Sequence, residues 1–214
     1  MHSFVAAAVL AALASVAPVE GGVFTYTHQQ LTAGVSSGGA GDEASHSGLD
    51  SWYGSRSDTA FGMFQFAAIG SSLADDQFSI TADVNVNATS PGYGGYDAYA
   101  DCRLDFTVTE TANATIYVDI GREITQGSIL SFALASANGS IYASFIPDKT
   151  IFTATLVAGD YSLVGLISIV APNGGDFSND SWLTISVNAV AVPGPGGLAL
   201  VGGLWGLFRS RRRC

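Results

Sequence analysis

The chain has 214 residues, enough for one sandwich-sized domain with a sizeable core. It carries 8 Lys and Arg against 18 Asp and Glu, and four of the basic residues, Arg209, Arg211, Arg212 and Arg213, sit together at the C-terminal tip. The body is therefore strongly acidic, and that bulk charge argues against nucleic acid or an anionic lipid surface as its partner.

Charged residues make up only 12% of the chain, while Gly, Ser, Thr, Ala and Asn abound. Such a composition favours strands joined by short turns over helices, whose solvent faces usually need Glu, Lys and Arg. The two cysteines are Cys102 and Cys214. Cys214 lies in the tail, so the body has no intramolecular disulfide to form, and Cys102 reads as a buried small hydrophobe.

Phe4 to Ala14 is apolar and helix-favouring, about the length of a signal-peptide core and too short to span a bilayer. Residues 1–22 are read as a signal helix, with small residues after Ala14 to accommodate cleavage. In Val23 to Val35, Val23, Thr25 and Thr27 alternate with Phe24, Tyr26 and His28, which predicts a first strand. Ser36 to Asp58 is rich in Gly, Ser and Asp, lacks a period, and predicts a long surface loop pinned by Trp52 and Tyr53. Thr59 to Ala68 predicts a strand with Gln65 and Ala67 on one side and Phe64 and Phe66 on the other.

Gln77 to Thr89 has a clean period of two: Phe78, Ile80, Ala82, Val84, Val86 and Ala88 face one way, and Ser79, Thr81, Asp83, Asn85 and Asn87 the other. Ser90 to Ala100 predicts a Gly- and Tyr-rich turn region. Asp101 to Glu110 turns Cys102, Leu104, Phe106 and Val108 inward. Ala114, Ile116, Val118 and Ile120 form the next row, and the short link between these two strands predicts that they pair. Asn138-Gly139, between Ser128–Ser136 and Ser140–Ile146, is the strongest hairpin signal, because both residues tolerate positive φ. Thr150 to Leu156 and Tyr161 to Val170 flank Val157-Ala158-Gly159-Asp160, and a last strand, Trp182 to Val192, carries Leu183, Ile185, Val187, Ala189 and Ala191 in one row.

About nine or ten short strands follow, with no amphipathic helix in the body. The predicted fold is all-β, an antiparallel β-sandwich or jelly roll over residues 23–191, with the N-terminal signal helix and a C-terminal hydrophobic helix outside it.

The C-terminal stretch, residues 192–214, has three parts. Val192-Pro193-Gly194-Pro195 is a rigid step, Leu198 to Phe208 is apolar and uncharged, and the arginines follow. That order describes a chain end held at a membrane with its basic tip in the cytoplasm. On Val192, Pro193, Gly194, Pro195, Arg209, Arg211, Arg212 and Arg213, the tail resembles a PEP-CTERM sorting signal, the mark read by exosortase in some bacteria; Gly194 stands where glutamate is usual. On Asp105 to Asp119 and Thr155 to Leu163, the body is similar to the β-sandwich domains that often precede such tails. The resemblance implies export, transient anchoring in the inner membrane through the C-terminal helix, and cleavage near the Pro-Gly-Pro step by exosortase-type sorting machinery. It also implies delivery to the cell surface or extracellular matrix.

A hydrolytic triad has little to draw on: His28 and His46 are the histidines outside the signal, and no G-x-S-x-G elbow occurs. His46 lies beside Asp42 and Glu43. Metal-ligand spacing for zinc is missing, and so are phosphate-cradling glycine loops. No cofactor is expected. Weak calcium binding by Asp75-Asp76, Asp97 to Asp101 or Asp176 to Asp180 is the alternative, since a hard cation prefers loop carboxylates and carbonyls. Trp52, Tyr53, Tyr93, Tyr96 and Tyr99 lie in Gly-rich stretches read as loops, where binding residues often sit, and are the candidate glycan contacts. The expectation is an exported, sorted surface protein with a structural or adhesive role and no catalysis. The alternative is a module binding carbohydrate, in particular exopolysaccharide.

Overall fold

The computed structural model describes residues 22–37, 40–60, 63–88, 96–122, 128–137, 139, 141–144, 150–171 and 176–192. The predicted signal helix, the C-terminal helix and Tyr93 lie outside the described residues. Among the described residues, no helix is long and apolar enough to cross a membrane. What is described is twelve strands: β1 (Phe24–Ser37), β2 (Ala40–His46), β3 (Tyr53–Ala60), β4 (Met63–Leu73), β5 (Gln77–Ala88), β6 (Tyr96–Val108), β7 (Ala112–Arg122), β8 (Ser128–Ser136), β9 (Ile141–Ser144), β10 (Thr150–Leu156), β11 (Gly159–Ala171) and β12 (Phe177–Ala191). They form two antiparallel six-stranded sheets, in the orders β2-β1-β6-β11-β8-β9 and β10-β7-β12-β5-β4-β3. The fold is a β-sandwich, as the alternating rows predict.

Those rows build the core. Phe78, Ile80, Val84 and Val86 of β5, Leu104 and Phe106 of β6, Ile116 and Val118 of β7, and Ile185 and Val187 of β12 are all buried between the sheets. Burying each such side chain contributes about 1.5–3 kcal/mol. Phe24, Phe78 and Phe106 meet ring to ring at 5.1–5.5 Å, and Tyr161 stacks on Phe106 at 5.6 Å.

Several expectations are corrected. Ser36 to Asp58 is not one loop: it holds the end of β1, all of β2 and most of β3. β2 and β3 are edge strands. An edge strand that covers little core needs no apolar alternation, so β2 is mostly exposed and reads as polar. Thr59 to Ala68 is likewise two strands, with Ala60 of β3 opposite Met63 of β4. Ser90 to Ala100 is not all turn: β6 begins at Tyr96, and residues 90–95 lie outside the described residues.

The β6–β7 pairing is also overturned. The two strands belong to different sheets, and β6 lies between β1 and β11. From β5 onward the chain changes sheet at every connection except the β8–β9 hairpin. That hairpin forms as the Asn-Gly signal predicts, with Gly139 at φ 81° and its N–H donated to Ser136 O at 2.9 Å. β1 switches parity: a bulge between Tyr26 and His28, against β6, turns Gln29, Leu31, Ala33 and Val35 inward in place of the Phe24/Tyr26 row.

The step from β10 to β11 carries the chain from one sheet to the other through exposed residues, Val157 to Asp160. Leu156 ends β10 fully buried, Gly159 takes φ 148°, and Tyr161 returns its hydroxyl to donate to Val157 O at 2.9 Å. This is a tyrosine corner, a device that fixes the angle of a sheet-to-sheet crossing. Tyr161→Phe should keep the ring stack and lose the bond, costing about 1 kcal/mol. A urea titration should show a lower midpoint at unchanged slope; an unchanged midpoint would mean the corner holds without the hydroxyl.

Candidate functional site

The predicted aromatic candidates do not converge. Tyr96 is a correction: it opens β6 facing the core and is 5% exposed, so it cannot meet a ligand. Trp52 is half-buried and packs on the core. Its indole stacks on His46 at 5.1 Å and 6° and fills the space over Gly54. Tyr99 lies on the outer face of the first sheet. Tyr53, 66% exposed, lies on the outer face of the second.

Around Trp52 the chain is pinned by polar contacts. Gln29, fully buried, donates Nε2 to Gly48 O at 2.9 Å and to Asp50 O at 3.1 Å. His46 Nε2 sits 3.0 Å from Asp50 Oδ1, close enough for charge pairing but without the alignment of a hydrogen bond. Ser51 Oγ accepts the Leu73 N–H at 3.1 Å. These contacts hold a surface turn against the sandwich.

The outer face of the first sheet carries an acidic group. Tyr99 crosses to Gly34 on β1, its register partner, and donates its hydroxyl to Glu43 Oε2 on β2 at 2.8 Å. Burial, with help from Glu43, pushes the Tyr99 phenol up to about 12. Burial also raises the neighbouring Asp101 carboxyl, against a hydrogen bond from Thr32. Cys102 behind them is fully enclosed, and its thiol is pushed up to about 12 by desolvation first and Asp101 second. A thiol so held is no nucleophile near neutral pH.

Asp75 and Asp76 supply backbone carbonyls to Phe24 N and Ala189 N at 2.8 and 2.9 Å. Asp97 and Asp101 lie within β6, and Asp180 lies within β12. Among the described residues, no three His, Cys, Asp or Glu side chains gather in a metal-binding group.

The second sheet's outer face assembles what the sequence analysis did not. Trp182 of β12 stands between Asp83 of β5 and Gly121 of β7 in register. Its indole leans over Gly121, occupying the space a side chain would take there, and remains 41% exposed. One row along, Asp180 is opposite Asn85, which is opposite Phe66 of β4. Phe64 is exposed on the same face. Asp83 and Asp180 are diagonal neighbours on this face. Burial raises the Asp83 carboxyl above its ordinary 3.8, and the charge and the acceptor of Asp180 add to the rise.

The outward row of β5 was legible as a polar row, and Trp182 as the outward neighbour of Leu183. Their meeting depends on β12 pairing with β5 at this register, for which the sequence holds no local signal. No protein-family model matches the chain, and no curated protein matches it in sequence.

A raised carboxyl makes the fold bind more protons than the unfolded chain. Asp83 therefore subtracts stability as pH rises from below 3.8 through its raised value, and the loss is complete above it. Asp83→Asn keeps a donor to Asp180 and removes the charge. It should melt higher than the parent at neutral pH and converge with it at acid pH. Equal melting temperatures across the range would show that the two carboxyls do not repel.

Proposed function

We propose that the protein is an exported, exosortase-sorted β-sandwich that serves at the cell surface or in the extracellular matrix, in a structural or adhesive role without catalysis. The observation that carries this reading is the tail, in which the Pro-Gly-Pro step, the apolar run and the arginines follow one another from Val192. The fold supports it at both boundaries. β12 is an inner strand held between β7 and β5, so residues 177–191 are committed to the sandwich. Val192 donates its N–H to Thr111 O at 2.8 Å as the described chain ends. At the other end, Thr109 ties Gly22 and Val23 through their carbonyls. Cuts before residue 22 and after residue 192 would leave every one of these strands whole.

The partners on this reading are the exosortase-type machinery and, in transit, the inner membrane, which holds the C-terminal helix until cleavage. The second reading is a carbohydrate-binding module, and the exposed indole of Trp182 favours it.

The test is the mass and cell fraction of the protein in a host that carries the sorting machinery. The expected product lacks both ends and is recovered outside the cytoplasm. A chain deleted for Arg209 to Cys214 should accumulate unprocessed in the membrane fraction. Full-length protein soluble in the cytosol, or normal delivery of the deleted chain, overturns the proposal.

A further inference from the structure

We propose that the outer face of the second sheet, centred on Trp182 with Asp83, Asp180 and Asn85 beside it, binds an uncharged polysaccharide. The inference moves the carbohydrate reading from the predicted aromatics to a different set of residues on a different element. It relies on the extracellular address only for access to such a polymer, so binding by the isolated chain is independent of sorting.

Three features of the face select the ligand. First, Trp182 has its flank supported. Gly121 beneath it has no side chain, so the indole settles across β7 and fills the space that a Cβ at Gly121 would need. An aromatic so placed offers a fixed flat surface that suits the C–H face of a sugar ring, with little rotamer freedom left to lose on binding. Trp182 is 41% exposed despite that support.

Second, the positions next to it are hydrogen-bonding groups. Asp83 is its cross-strand neighbour, Asp180 precedes it by two on the same face, and Asn85 faces Asp180. The carboxylates accept, and sugar hydroxyls are paired donors at the rim of a stacked ring. Asn85 can both donate and accept. Aromatic surface beside convergent polar groups is the pattern of a small-molecule or glycan site.

Third, charge decides between polymers. The body has few cations, and two neighbouring carboxylates on one face would repel a sulfated, phosphorylated or uronate chain. The side of the platform towards β4 is closed by Phe66 and Phe64, so a second ring can pack beyond the carboxylates. A sheet face that runs over β4, β5, β12 and β7 crosses four strands spaced about 4.8 Å apart. That width takes several sugar units, which favours a polymer over a free monosaccharide.

The test is affinity electrophoresis and calorimetric titration of the full-length chain against soluble glucans, galactans and mannans. At least one of these polymers should bind. Trp182→Ala should weaken that binding at least about tenfold, as the loss of a central aromatic anchor does, and Trp182→Phe should weaken it less. Asp83→Ala, at an outward position of β5, should also weaken it. Tyr99→Ala, on the opposite sheet, should leave it unchanged. Circular dichroism and melting of each variant separate lost binding from lost structure. Four outcomes overturn the proposal: no neutral polymer is bound; binding persists in both Trp182→Ala and Asp83→Ala; binding is abolished by high salt, which shows that charge and not ring stacking carries it; or binding requires calcium and survives Trp182→Ala, which marks the carboxylates as a cation site. Failure of any kind here leaves the sorting proposal standing, since the processed mass tests that separately.

Discussion

Two sheets share one largely apolar interior, and each strand that lines it must keep its apolar row turned inward. A strand offers alternate side chains to opposite faces, so a slip of one residue would place the whole inner row in water. The constraint is severe here because the chain keeps crossing between sheets after β5 and must re-enter at the correct parity each time. The devices that manage it are local. The bulge in β1 resets parity in mid-strand. The tyrosine corner sets the angle from β10 to β11. The cluster of Phe24, Phe78, Phe106 and Tyr161 ties strands of both sheets at the place where these devices act.

A second regularity lies on the outside. Three exposed or half-exposed aromatics each face a glycine as register partner on the adjoining strand: Trp182 and Gly121, Tyr99 and Gly34, Tyr53 and Gly70. Glycine in a strand is costly because it has no side chain to pack and much freedom to lose. A ring laid over it covers the bare backbone and offsets part of that cost. The same arrangement steadies the ring. The glycine richness that reads in the sequence as loop and turn is thus partly spent on seats for aromatic side chains.

How much of this was legible follows from what each residue depends on. The inner rows of β5, β6, β7 and β12 were read directly, because burial of one face writes a period of two into the chain. The Asn138-Gly139 hairpin was read from backbone chemistry alone. β2 and β3 were missed, since edge strands bury little and need no such period. Tyr96 was misplaced for the opposite reason: it is a core residue at the start of a strand, preceded by glycines that look like a turn. The β6–β7 pairing failed because a short link can join strands of opposite sheets as well as neighbours in one sheet. Trp182 and Asp83 could be assigned an outward direction but not a meeting place, because the register between β5 and β12 spans nearly a hundred positions of intervening chain, and Asp180 reads as a loop carboxylate because β12 begins earlier than its apolar row.

The link between β6 and β7 holds both exits of the described fold. Thr109 receives Gly22 and Val23, and Thr111 receives Val192. The two ends of the described residues therefore lie side by side at one pole of the body. A tether at either end would hold the domain at that same pole and leave the flat sides clear of the attachment. Swapping one attachment for another would leave the orientation of those sides unchanged.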